Sequence, residues 1–304
     1  MHKNRAVIFI TAFVFLGLAV YISFNLYPSL IALRQIEKRK AAWVVLDKKV
    51  RQEAAAFGQE VGVVIKDLTT GWKISINEVK LFPSASLVKV PIMASYAYAS
   101  AQKKLDLNRG LILEERYKVL GSGILKEYAP GTEFNIKDLI ELMVAESDNT
   151  AANMLIEYAG FDSLNGYFKK LGLGDTNLVR KMMDFKSRRE GLENFTTAHD
   201  QALLLEKIYY NRLVDKDVSQ KCLDTLKKQK IRDRIPARLP PDIIVAHKTG
   251  LENGICHDAG IIFTPRGDLL ICVLTKHNYK FARPAKKFIS QVSLDAYNYC
   301  LLNS

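Results

Sequence analysis

Ser86 and Lys89 lie three residues apart in the stretch Phe82-Pro83-Ser84-Ala85-Ser86-Leu87-Val88-Lys89-Val90-Pro91. A serine hydroxyl is a poor nucleophile until a base stands within hydrogen-bond reach. Residues three apart on a helix share a face, so Ser-x-x-Lys sets hydroxyl and amine side by side. Pro83 and Ser84 read as a helix start. That places Ser86 in the first turn, where the helix dipole favours negative charge. The chemistry permitted is acyl transfer, with Ser86 attacking a carbonyl and Lys89 taking up its proton.

By itself the pattern carries little weight, because Ser100-Ala101-Gln102-Lys103 repeats it. There the helix-unfriendly Asn108-Arg109-Gly110 follows, and a solvated helix end is expected. Ser86 differs in what lies downstream. Ser147-Asp148-Asn149 offers a second hydroxyl and an amide, and Lys248-Thr249-Gly250 offers an ammonium, a hydroxyl and a residue without a side chain. Taken singly, the first triplet reads as a helix-capping loop and the second as a strand end. Taken together, in this order, the three elements are the signature of class A β-lactamases and penicillin-binding proteins. Over roughly residues 40–304 the chain resembles the penicillin-recognising serine hydrolases of the class A β-lactamase type.

The resemblance implies roles. Ser86 becomes acylated, Lys89 accepts or relays the proton, and Ser147 passes a proton to the leaving nitrogen. Lys89 can do so only with a depressed pKa, which burial and a neighbouring cation such as Lys248 would supply. Asn149 orients Lys89 and the substrate amide, while Lys248 and Thr249 hold the substrate carboxylate. Gly250 lets substrate lie against a strand edge, and the backbone amides of Ser86 and Leu251 form the oxyanion hole. The family's deacylating glutamate, in a Glu-x-x-Leu-Asn motif, has no clear counterpart. If Arg180 matches the family arginine, Met182 takes the glutamate position. Glu190 is spaced correctly from Asn194, but Leu192 is out of place; Asp184 is the other candidate base. Three functions follow as expectations: a weak hydrolase of the β-lactam amide, a D,D-peptidase acting on acyl-D-Ala-D-Ala-like cell-wall peptides, or a non-enzymatic acylated sensor. The sensor ranks last, because only about five residues precede the apolar N-terminal run.

The elements that must position these residues can be read in order. Ile36–Phe57 has helical periodicity with Trp43, Val44, Leu46 and Val50 as core positions. Val61–Asp67 and Trp72–Asn77 alternate as a hairpin around Thr69-Thr70-Gly71. From Ser86 to about Leu213 the pattern is helical, with Asn135 and Asp200 as caps and Gly160, Gly172 and Gly174 as stops. Ser122, in Gly121-Ser122-Gly123, is expected to be a turn residue. Val245–Thr249, Asp258–Phe263 and Leu269–Thr275 read as strands, and Phe281–Leu302 as a closing helix. The two ends must meet in one sheet. The expected architecture is an α/β two-lobe fold of the β-lactamase/D,D-peptidase kind. It has a five-stranded antiparallel sheet flanked by terminal helices (about 35–82 plus 240–304) and an inserted all-α lobe (about 83–239), with the site between lobes.

Residues 1–5 form a short tail, and the run Ala6–Tyr27 carries no charge. At this length, with Lys3 and Arg5 before it and no Ala-x-Ala-like cleavage site after it, residues 6–28 are expected to be an uncleaved transmembrane signal anchor. Residues 29–304 then form the hydrolase domain. Arg34, Lys38, Arg39 and Lys40 follow the run, so charge alone does not favour an outside domain. The extracytoplasmic placement, in a periplasm or on the outer face of a bacterial plasma membrane, comes from the resemblance. A formal charge of +12 suits anionic surroundings, but no nucleic-acid module is present and the lysines are scattered. The five histidines and the cysteines Cys222, Cys256, Cys272 and Cys300 lack metal-ligand spacing. No cofactor is expected. The thiols read as buried and free, with a disulfide the alternative in an oxidising compartment. A monomer is expected.

Overall fold

The computed structural model describes residues 27–301 together with 13–15, 17 and 21. A five-stranded antiparallel sheet, ordered β2-β1-β9-β8-β7, lies at its centre. The strands are β1 (Glu60–Asp67), β2 (Lys73–Ile76), β7 (Val245–Glu252), β8 (Ile255–Ile262) and β9 (Leu269–Lys276). The N-terminal hairpin and the three C-terminal strands therefore join at β1–β9, where Val63 faces Val273 and Val64 faces Cys272.

The strand sequences explain why both faces are covered. Along β9, Leu269, Ile271 and Val273 enter one apolar core while Leu270, Cys272 and Leu274 enter another. A period of two with apolar residues at every step reads as a strand buried on both sides. On one face pack α1 (Tyr27–Phe57) and the last helix (Arg283–Leu301), through Trp43, Leu46, Val50, Phe288, Ile289 and Val292. On the other face lies the helical block, its core running through Leu87, Ile92, Leu139, Met143, Leu155 and Leu205.

Three local expectations are corrected. Val44 is 62% exposed. Trp43, Leu46 and Val50 repeat at the three-to-four spacing of one helix face, and Val44 is turned off it. Asp200 does not cap a helix; Thr197 does, its hydroxyl accepting from Asp200 N at 3.0 Å, while Asp200 lies in the first turn. The helix expected at Pro83 begins as something else. Phe82–Pro83 is a short strand, β3, paired with Phe195–Thr196, β6. A 3₁₀ turn, Ala85–Val88, follows before α2 (Lys89–Ala101). The repeat at Ser100 and Lys103 falls at the end of α2, with Lys103 exposed at a positive φ of 56°.

All four cysteines are free and buried. Most of the anchor expected over residues 6–28 falls outside the described residues. Among the described residues, no helix is long and apolar enough to cross a membrane.

Candidate active site

The site is built where the 3₁₀ turn, the N-terminus of α4 (Asn149–Ala159) and strand β7 meet. Ser86 lies in the 3₁₀ turn and is half-buried; Lys89 opens α2 and is wholly buried. The Ser86–Lys89 spacing thus straddles a 3₁₀-to-α junction. The tighter 3₁₀ turn eclipses residues three apart, so it still brings the two positions to one face.

Lys89 Nζ donates to the Ser147 carbonyl oxygen at 2.6 Å, to Asn149 Oδ1 at 2.8 Å and to Ser147 Oγ at 3.4 Å. Lys248 Nζ reaches the same Ser147 Oγ at 2.9 Å and the Thr249 carbonyl oxygen at 2.9 Å. Three elements distant in sequence therefore converge on one hydroxyl. An oxygen that accepts from an ammonium keeps its own O–H free to donate elsewhere.

Electrostatics follow from burial. Desolvation pulls the Lys89 pKa down to about 7, against a smaller opposing pull from Asp148. A lysine near 7 is neutral in part at physiological pH and can accept a proton. Lys248 is also held well below the ordinary lysine value, first by burial and then by the charges of Lys89 and Arg234.

Asp148 lets Ser147 and Asn149 hold their places. As the cap of α4 it accepts from Ala151 N at 2.9 Å through Oδ1. Its Oδ2 accepts from Ile124 N at 2.7 Å and Leu125 N at 2.8 Å, fastening the 121–125 loop. The capping reading of this triplet is realised, by the residue between the two that meet Lys89. Asn149 N donates to the Ser122 carbonyl, so Ser122 contributes backbone as a turn residue. Gly123 runs so close to Asp148 that a Cβ there would stand 2.2 Å from its Cγ, at a φ of +108°.

Strand β7 is the sheet edge beside the turn that carries Ser86. A Cβ on Gly250 would lie 3.3 Å from Ala85 Cβ, so the strand and the turn touch there. The residues that follow these two in sequence are Leu251 and Ser86, the expected oxyanion pair.

Neither candidate base joins this group. Asp184 caps the short helix Phe185–Arg189, and its pKa is lowered by the hydrogen bonds it accepts from Ser187 Oγ at 2.6 Å and Ser187 N at 3.0 Å. Glu190 is exposed at the other end of that helix. Met182, by contrast, is buried and fixed: its N donates to Asn153 Oδ1 at 2.8 Å and its carbonyl accepts from Asn153 Nδ2 at 3.2 Å. Asn194 is an internal clamp for the same loop, its Oδ1 accepting from Val179 N and Arg180 N and its Nδ2 donating to the Arg180 carbonyl. Arg180 and Arg188 pair with both Glu193 and Glu252, tying the loop to the end of β7.

Sequence reasoning missed two residues. Arg234 is 1% exposed and its charge acts on Lys248. No motif surrounds it that would have marked it. Asn153 was legible in principle, being four residues after Asn149 on one helix face.

Residues 45–300 match the family described as the β-lactamase enzyme family. The extended-spectrum β-lactamase PER-1 of Pseudomonas aeruginosa is 28% identical over 278 residues, covering 86% of each chain. A β-lactamase structure from Sphaerobacter thermophilus superposes with a TM-score of 0.76 at 30% identity, covering 83% of this chain and 97% of its own. A structure of PBP-A gives 0.76 at 26% identity, covering 83% of this chain and 94% of its own. The two-lobe fold and the family match agree over nearly all the folded residues, and the chain belongs to the β-lactamase enzyme family, as a serine hydrolase of the class A type.

Proposed function

We propose that the chain hydrolyses the amide of β-lactams through an acyl-serine at Ser86, with release of the acyl group the slower step. The observation that carries this is Lys89: wholly buried, three residues from Ser86, hydrogen-bonded to Ser147 and Asn149, and titrating near 7. Neutral Lys89 takes the Ser86 proton as Oγ bonds to the carbonyl carbon. The amides of Ser86 and Leu251 stabilise the developing oxyanion. The C–N bond then breaks as Ser147 Oγ donates its proton to the nitrogen, and the lysines beside it restore that proton. The substrate carboxylate lies against Lys248 and Thr249, with the buried Arg234 charge behind them. Asn149 orients the substrate amide.

Release needs a water and a base. With Arg180 in the place of the family arginine, Met182 takes that of the deacylating carboxylate, and a thioether takes no proton at neutral pH. Losing a placed general base costs about 10²–10⁴-fold. That observation also favours a second reading, a D,D-peptidase on cell-wall peptides. The chain is also similar to PBP-A, a mutant of which was solved as an acyl-enzyme complex with penicillin G. Intact-mass spectrometry of residues 34–304 mixed with penicillin G decides between them. The β-lactamase reading expects a Ser86-dependent adduct that turns over within minutes. An adduct lasting hours, with cleavage of an acyl-D-Ala-D-Ala peptide, would replace it by the peptidase. No adduct would end both.

The chain is further proposed to act as a monomer held by its N-terminal segment, with the catalytic domain on the extracytoplasmic side. The uncharged run Ala6–Tyr27 supports this, as do Ile31, Leu33 and Ile36, exposed on α1 where it leaves the domain. Retention of the full chain in the membrane pellet after alkaline extraction is expected; release into the supernatant would refute anchoring.

A further inference from the structure

The proposed reaction needs two backbone amides, those of Ser86 and Leu251, at a fixed separation. Ser86 follows Ala85, whose φ of +44° is a left-handed conformation that a residue with a Cβ holds only under constraint. Leu251 follows Gly250, and Gly250 is wedged. A Cβ on it would meet Ala85 Cβ on one side and Cβ and Cδ2 of His257 on the other, each at 3.3 Å. His257 stands opposite Gly250 in the β7–β8 ladder and is fully buried.

Both ring nitrogens of His257 are committed. Nδ1 receives the backbone N–H of Thr275 at 3.0 Å. A backbone N–H can only donate, so Nδ1 carries no proton and the ring proton is on Nε2. Nε2 lies 2.8 Å from the Pro83 carbonyl oxygen and donates to it. Phe82 packs edge-on against the ring, centroids 6.1 Å apart. One imidazole on β8 therefore links β9 through Thr275 and β3 through Pro83, while Gly250 lies opposite it on β7. Residue 84 is held as well, its N donating to the Asn194 carbonyl at 2.7 Å. The strained turn at Ala85 is pinned immediately before it, and the histidine supplies the pin that also reaches β7.

We propose that His257 is a positioning residue for acyl transfer: as the neutral Nε2–H tautomer it fixes the Ala85–Ser86 turn against β7, and so sets the spacing of the two amides that bind the carbonyl oxygen. The inference rests on the acyl-serine reading of Ser86. Its charge state agrees with its geometry. Burial, helped by the nearby charges of Arg234 and His277, holds the ring's pKa down to about 4. A second proton on Nδ1 would face the Thr275 N–H. An oxyanion is formed in acylation and again in deacylation, so a displaced amide pair slows both steps. A misplacement on the order of 1 Å is enough to cost about 100-fold.

The test compares wild type with His257→Phe and His257→Gln, using a chromogenic cephalosporin. Acylation and deacylation rate constants are expected to fall together by about 10–100-fold in His257→Phe, with the dissociation constant of the encounter complex changed less than about threefold. The infrared stretch of the acyl-ester carbonyl is expected at higher wavenumber, because a loosened amide pair polarises it less. His257→Gln keeps a donor and is expected to fall between. Unchanged rates and an unchanged carbonyl stretch in the folded Phe variant would overturn the proposal. Where that variant does not fold, ¹⁵N NMR of the wild-type imidazoles at neutral pH decides. A protected Nε2–H with a bare Nδ1 is required, and an Nδ1–H or charged ring overturns the proposal. A wild type that forms no adduct sinks the acyl-serine reading itself, and that failure shows before any variant is made.

Discussion

Lys89 and Lys248 converge on one oxygen: Ser147 Oγ lies 3.4 Å from the first ammonium nitrogen and 2.9 Å from the second. Two wholly buried lysines near a shared acceptor cannot both hold a full charge cheaply, and both titrate below the ordinary lysine value. The hydroxyl between them is the point where a proton can pass from one side of the cleft to the other.

The first consequence concerns pH. Lys89 must be neutral to accept the Ser86 proton, and its pKa is about 7. Below that value the amine is protonated, and the acylation rate is expected to fall about tenfold per pH unit. Above it the rate reaches a plateau. Single-turnover acylation measured from pH 5 to 9 checks this. A profile flat across pH 7 would assign the base elsewhere.

Removing the shared hydroxyl should slow bond cleavage without removing the nucleophile. In Ser147→Ala, acylation is expected to fall about 10²–10⁴-fold while the adduct still forms on Ser86. Ser86→Ala should abolish the adduct. Mass spectrometry of both variants, read at several times, separates the two effects. An adduct in Ser147→Ala formed at the wild-type rate would exclude the proton-transfer role.

Met182 can be given the missing carboxylate. Its main chain is already held at both N and O by Asn153, so a side chain there has a fixed origin. Met182→Glu is expected to shorten the lifetime of the penicillin adduct, by up to about 10²–10⁴-fold. Because Met182 is 4% exposed, burying a carboxyl should also lower stability by about 1–3 kcal/mol. Adduct lifetime and thermal melting are the paired measurements. An unchanged lifetime in a folded variant would show that the position does not face the ester.

Gly123 is the glycine the site can least replace. An added Cβ would stand 2.2 Å from Asp148 Cγ, in a backbone conformation at φ +108°. Gly123→Ala is expected to cost on the order of 2–4 kcal/mol and to lower Tm by several degrees. Since Asp148 caps α4 and precedes Asn149, activity should fall with it. A melting temperature within about one degree of wild type would refute the close approach.

The residues of the three motifs were readable because reactive side chains must be of particular types, and their types survive as short patterns. The sheet was readable for a similar reason: Leu269–Lys276 is apolar at nearly every position, and only a strand covered on both faces explains that. What the sequence did not disclose depends on backbone geometry. Nothing in Phe82–Lys89 distinguishes a 3₁₀ turn followed by an α-helix from a helix starting at Pro83, because the difference lies in the positive φ at Ala85. The groups packed against that turn, Gly250 and His257, lie more than a hundred residues away. Arg234 was invisible for the same reason: a buried arginine is recognised by what surrounds it in space. The loop around Met182 was ambiguous because Glu190 and Asp184 both offered a nearby carboxylate, and only the bonds with Asn153 show which residue is held inward.

The four sulfhydryls offer a clock for the molecule's breathing. Cys256 and Cys272 lie on the interior strands β8 and β9, Cys222 within the helical block and Cys300 on the last helix, and none is oxidised or exposed. A thiol-reactive dye in native buffer can reach each of them only when that region opens. The order in which they label would therefore rank the opening of the helical block, the terminal helix and the sheet, without altering a single residue.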